Sequence, residues 1–117
     1  MVALFVLLTA PAFAPAQSAP RIAYRSVPDF LQLPAGIYLE APVGVAVDSK
    51  GDIYVAGRSK HPIMEFASDG TYMRSIGDGL TLFDAPHSIR IDSHGNLWYV
   101  DVGANLVVEF SPQGALL

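Results

Sequence analysis

The stretch Glu40 to Gly70, EAPVGVAVDSKGDIYVAGRSKHPIMEFASDG, returns as Asp84 to Gly114, DAPHSIRIDSHGNLWYVDVGANLVVEFSPQG. Pro42 and Pro86, Asp48 and Asp92, Gly51 and Gly95, Phe66 and Phe110, and Gly70 and Gly114 each stand 44 residues apart. An ungapped period of this size, built from short apolar runs broken by Asp-x-x-Gly turns, predicts an all-β fold with one β-propeller blade per repeat. Closed propellers take about 4 to 8 blades, so about two blades need others to close a ring. The second repeat reaches Leu117 where its last strand should run. The expectation is therefore the front part of a longer protein or an incomplete gene product.

Composition narrows the function classes. The 117 residues are 51% apolar and 15% charged, which suits a folded β protein rather than a disordered one. A net charge of −4 removes the electrostatic footprint needed to hold a phosphate backbone, so nucleic acid is not an expected partner. There is no cysteine, which excludes disulfides and thiolate metal sites; any zinc would rest on histidine and carboxylate.

Residues 1–16, MVALFVLLTAPAFAPA, form an apolar run ending in small residues. A transmembrane helix needs roughly 20 residues, whereas Ala14-Pro15-Ala16 fits a signal-peptidase site with Gln17 as the new first residue. The expectation is a signal peptide cleaved after Ala16 and a secreted or periplasmic protein with no membrane association after cleavage. No Lys or Arg precedes Arg21, so the basic n-region is missing and an uncleaved N-terminal anchor is the alternative. Residues 17–39 read as a linker in which Ile22-Ala23-Tyr24 or Ile37-Tyr38-Leu39 supplies a strand that fastens the ring.

Residues 40–83 read as the first blade, with strands at Val43 to Asp48, Asp52 to Ala56, Ile63 to Ala67 and Tyr72 to Ile76. Its first strand, small and apolar, is expected to be an inner strand buried on both faces. Residues 84–117 read as an incomplete second blade with strands at His87 to Ile91, Leu97 to Asp101 and Val107 to Ser111. Tyr54, Trp98 and Tyr99 are expected to pack between blades. Asp48 and Asp92 open turns and are expected to bond the turn backbone. Glu65 and Glu109 recur with the period, which favours a structural or solvated role.

Strand direction selects one face for chemistry. The loop after a blade's second strand lies at the same end as the loop entering the next blade. Arg58, Ser59, Lys60 and His61 occupy the first kind of loop, and His87 stands at the second. Val43 takes the place of His87 in the first repeat, and Val102 that of Arg58 in the second. Residues that break a structural period are better functional candidates than those that obey it. His87 is either a metal ligand through a neutral ring nitrogen or an inner-rim histidine bonded to a carbonyl. Arg58 is either a carboxylate clamp or a surface charge. His61 and Lys60 read as solvated, and His94, at the opposite end of the blade, is set aside as a ligand.

The motifs APxGVAVDxxGxIYVAxR and IRIDSHGNLWYVDVGANLVVEFSPQG resemble NHL repeats. Together with Arg58 and His61, Pro86-His87, Gly95-Asn96-Leu97-Trp98 and Asp101-Val102, they resemble the propeller of peptidyl-α-hydroxyglycine α-amidating lyases and their bacterial relatives. The likeness runs from about Gly44 to Leu117 and implies a six-bladed ring. It implies that His87 is one of three histidines on a zinc, that Arg58 is the catalytic and substrate-binding arginine, that His61 joins the substrate site, and that a calcium plays a structural part. It further implies a peptide substrate cleaved at its N–Cα bond to peptide amide and glyoxylate. The base, a tyrosine, and the other two histidines would lie in later blades, so this chain alone is expected to be inactive. Ser59-Lys60 departs from the Gly-Asp of the family's Arg-Gly-Asp-His. The alternative is a non-enzymatic propeller that binds a peptide, protein or small molecule on the face carrying Arg58 and His87.

Overall fold

The structure, a computed structural model, describes residues 19–117; the expected signal peptide of residues 1–16 lies outside them. Seven strands are formed: β1 (Pro42–Val47), β2 (Ile53–Gly57), β3 (Ile63–Phe66), β4 (Tyr72–Ile76), β5 (Pro86–Ile91), β6 (Leu97–Asp101) and β7 (Leu106–Phe110). They make an antiparallel four-stranded sheet in the order β1-β2-β3-β4 and a three-stranded sheet in the order β5-β6-β7. This is an all-β fold: two neighbouring blades of an open, partial propeller.

Local chemistry sets the strand ends. Asp48 accepts from the backbone amides of Lys50 and Asp52, and Asp92 repeats this with His94 and Asn96. Each turn then closes on a glycine with positive φ, Gly51 or Gly95, a conformation that carries no steric penalty for glycine.

Alternation along the strands gives each sheet two different faces. Tyr54, Ala56, Ile63 and Ile76 of the first sheet meet Ile89, Leu97, Tyr99, Val108 and Phe110 of the second in one core. Burying each large apolar side chain in it contributes about 1.5–3 kcal/mol. The sheets come closest at the inner strands: a Cβ on Gly44 would lie 3.1 Å from the Ile89 nitrogen. Toward the outside they splay apart, and the connection from β4 to β5 fills the gap with Leu80, Leu82 and Phe83. Phe83 stands edge-on to Tyr99, with ring centroids 4.9 Å apart.

The first sheet's other face carries Val55, Met64 and Phe66, covered by Leu31, Leu33, Ile37 and Leu39. Neither Ile22–Tyr24 nor Ile37–Leu39 forms a strand; Gln32 instead makes a parallel bridge to Thr71, its amide donating to Gly70 O at 2.8 Å. The segment sits one period upstream of the inter-blade connection. Phe30 lies against Gly70 as Arg74 lies against Gly114, and Leu39 lies against the first blade as Phe83 lies against the second. The repeat frame thus extends back to Phe30, over residues that share no readable motif with their counterparts.

Two packing expectations need correction. The inner strand β1 is not buried on both faces, because Val45 and Val47 are each 57% exposed where no blade adjoins them. Trp98 does not pack between the two blades. It points out of the far face of the second sheet, 38% exposed, and donates from Nε1 to the Asp92 carboxylate at 3.1 Å. Tyr54 and Tyr99 are buried between the blades as the sequence suggests.

Candidate functional site

Arg58 leaves the end of β2 with its amide bonded to Glu40 O at 3.1 Å. Its Nε points to the carbonyl of Pro86 at a long 3.4 Å, immediately before His87 on β5. Topology and this contact bring Arg58 and His87 to one rim of the two-blade unit. Both residues are exposed, so each has room to meet a ligand.

His61 is held elsewhere. Its Nδ1 lies 2.7 Å from Asp78 Oδ2, which also accepts from Ser75 Oγ at 2.7 Å. The histidine backbone is folded onto Ser59, whose Oγ accepts from the His61 amide and donates to the His61 carbonyl. His61 is therefore part-buried and anchored to the turn after β4 rather than free in solvent. With Tyr38, Glu40, Ser59 and Lys60 it borders a depression of about 190 Å³. A neighbouring depression of about 380 Å³ runs past Lys60, Pro62, Leu80 and Phe83. Arg58 and His87 line neither.

The same rim is stiffened by Asp101, part of the Asp101-Val102 motif but given no role by the sequence. Asp101, only 1% exposed, accepts from the backbone amides of Asp84, Ala85, Gly103 and Ala104 at 2.8–3.0 Å. Burial pushes its carboxyl toward protonation, but the four amides outweigh this and hold it below the usual aspartate range. One side chain thereby fixes both the approach to β5, hence His87, and the turn after β6. The equivalent residue in the first blade is Gly57, where a Cβ would lie 2.9 Å from Glu40 O. A break in the period was the available signal, as it was for Arg58 and His87.

The opposite end is structural. A cleft of about 460 Å³ between the blades is lined by Asp48, Asp92, Lys50 and His94, among others. Beneath it Glu65, 4% exposed, accepts from Tyr54 Oη at 2.9 Å and from Arg74 Nε. Arg74 spends its remaining nitrogens on the carbonyls of Gln113 and Pro112 in the second blade. The group thus ties three strands of the first blade together through Glu65 and reaches the second blade through Arg74.

A zinc site takes three or four protein donors. Among the described residues, no three His, Cys, Asp or Glu side chains stand close enough to hold a metal ion. Among these residues His87 offers a zinc one donor of the three or four it takes.

Comparison with known proteins agrees with the architecture. A sequence model described as a β-propeller repeat matches residues 41–63, which span β1 and β2. The solved structure titled "Streptogramin B lyase structure" is similar to this chain, with a TM-score of 0.59 and 19% sequence identity. The match covers 70% of this chain and 27% of that one, so the chain spans about a quarter of that propeller's length. A likeness at this identity shows the fold alone. No curated protein sequence matches the chain.

Proposed function

We propose that the rim carrying Arg58 and His87 is the ligand-binding rim of an exported, lyase-type propeller. Its substrate would be a peptide ending in α-hydroxyglycine, released as peptide amide and glyoxylate. The supporting observation is the reach of Arg58 Nε to Pro86 O, which holds a permanently charged, forked donor beside His87. Arg58 would bind a substrate carboxylate. His87 would give one donor to a zinc whose other donors, like the base that takes the hydroxyl proton, come from further blades. The chain alone is then expected to be inactive.

A second reading, a non-catalytic peptide or ligand scaffold, is favoured by one feature. His61 is tied to Asp78, and Arg58 and His87 are open to solvent, an arrangement that suits binding at a surface. The test is zinc content and glyoxylate release in a protein carrying this chain within a full ring, beside its His87→Ala and Arg58→Ala variants. The lyase reading expects bound zinc that falls sharply in His87→Ala. It also expects zinc retained but peptide turnover lost in Arg58→Ala. A full ring with neither zinc nor glyoxylate release sinks that reading; peptide binding that still weakens in Arg58→Ala would leave the scaffold.

A further inference from the structure

Each blade has a corner where the segment entering its inner strand meets the loop after its second strand, and the two corners differ. The ladders beneath them are alike: Pro42 stands opposite Gly57 as Pro86 stands opposite Asp101. In the second blade the corner is plugged. Asp101 gathers the amides of Asp84, Ala85, Gly103 and Ala104, and the Asp84 carboxylate lies against Gly103. In the first blade Gly57 brings no side chain, and a backbone bond from Arg58 N to Glu40 O joins segment to loop. The depression of about 190 Å³ bordered by Tyr38, Glu40, Ser59, Lys60 and His61 lies at this open corner.

His61 is prepared there for one kind of partner. An ionised carboxylate only accepts, so the 2.7 Å contact with Asp78 Oδ2 puts the proton of the neutral ring on Nδ1. Nε2 is left with a lone pair. Ser75 Oγ donates to the same Asp78 oxygen and steadies it, while Ser59 Oγ holds the His61 backbone at both its amide and its carbonyl. The ring is thus fixed with its free nitrogen an acceptor. Glu40 adds a second acceptor at the border, and a charged one. Against the single cation Lys60 the corner sets two carboxylates, Glu40 and Asp78, while Tyr38 adds a neutral hydroxyl. With the imidazole neutral, that balance favours a cation that donates hydrogen bonds.

We infer that this corner binds an ammonium group of a peptide, with Glu40 and Nε2 of His61 as acceptors and Asp78 as the positioning residue. The inference deepens the reading of the Arg58 rim as a peptide-binding rim, and rests on it for the peptide. Arg58 opens the same loop, so a peptide held there by its carboxylate has its upstream amine within the reach of one rim. A chain N-terminus and a lysine side chain offer the same chemistry. Lys60 opposes the ligand by its charge. Protonation of His61 turns Nε2 from acceptor to donor and adds a further like charge, so binding weakens as pH falls. The groups that set this response are Asp78 from the turn after β4, Glu40 and Tyr38 from the entering segment, and Lys60 from the loop itself.

The test is nitrogen-15 NMR of the histidine rings in the full chain, with the His61 signals assigned by their loss in His61→Gln. Three probes without a carboxylate are titrated: Nα-acetyl-lysine amide, glycylglycine amide and, as the chargeless control, Nα-acetyl-norleucine amide. His61 should show the Nδ1–H tautomer. At least one ammonium probe should shift its Nε2 signal to saturation while the norleucine control does not, and the tighter of the two identifies the source of the amine. Glu40→Gln should weaken binding about threefold to fivefold, as expected for an exposed ion pair. Lys60→Ala should tighten it by a similar factor, which a merely structural lysine would not do. Asp78→Ala should weaken binding and release the fixed tautomer. The fall in affinity with acid should be shallower in His61→Gln, followed on the probe's own signals.

Ammonium probes that leave His61 unchanged, or a norleucine control that shifts it equally, overturn the inference, and neither outcome depends on a variant folding. Silent ammonium probes beside peptide binding that still weakens in Arg58→Ala would remove the corner and leave the rim. Saturable ammonium binding beside peptide affinity indifferent to Arg58→Ala would uphold the corner and remove the carboxylate clamp.

Discussion

Arg74 on β4 holds the buried carboxylate of Glu65 on β3 and, with the same guanidinium, two carbonyls of the neighbouring blade. Replacing it with methionine keeps most of the stem and removes every one of these bonds. Glu65 is then left with Tyr54 as its donor in a buried setting, so Arg74→Met is expected to destabilise the fold by about 2–3 kcal/mol. Arg74 is itself partly exposed, which keeps the loss below that of a fully buried pair. Urea unfolding of the variant against wild type measures this.

Asp101→Ala removes the acceptor shared by Asp84, Ala85, Gly103 and Ala104, and about 2–3 kcal/mol of stability should go with it. The wild-type carboxyl titrates below its unfolded value. Its contribution is therefore complete above the ordinary aspartate pKa of about 3.9 and disappears as pH falls through the lower folded value. Asp101→Asn should flatten that acid limb in a series of thermal melts across acidic pH. An unchanged limb would mean that the amide cluster draws little from the charge.

At alkaline pH the sign reverses. Burial, with the Glu65 hydrogen bond added for Tyr54 and the Asp101 charge for Tyr99, raises both phenol pKa values. Stability from these groups is full below the ordinary tyrosine pKa of about 10 and declines as pH rises above it toward the folded values. Unfolding on base titration should be shallower in Tyr99→Phe than in wild type, read from far-ultraviolet circular dichroism.

Gly70→Ala should detach the N-terminal segment. The added Cβ would collide with the carbonyl of Phe30, and the residue's φ of 89° costs a non-glycine residue about 1–2 kcal/mol by itself. Limited proteolysis should then cut within residues 27–39 faster than in wild type, while the strands stay protected.

The period, the turn aspartates and the strand sequence were legible because each is a local pattern written twice. Arg58 and His87 were brought to one rim by strand direction alone, and the structure joins them through Pro86. What escaped was non-local. His61 looks like an ordinary loop residue until Asp78, seventeen positions on, folds back to meet it. Phe30 to Leu39 shares the spatial frame of the repeat without its motifs, since packing as a wedge asks only for apolar side chains. Val45 and Val47 read as core because the period assumes a neighbour on every side.

The sequential strand order carries a consequence for how the chain acquires its shape. Each strand of the first sheet pairs with the one just before it, through short turns. Such contacts form early, because little chain entropy is lost in closing the intervening loops. The second sheet can assemble its own hairpins equally fast, but Ile89, Tyr99 and Phe110 become buried only by docking on the first. During synthesis the first blade leaves the ribosome earlier and offers a finished surface to the strands that follow. Destabilising Tyr54 or Ile63 should therefore delay the second blade more than the first.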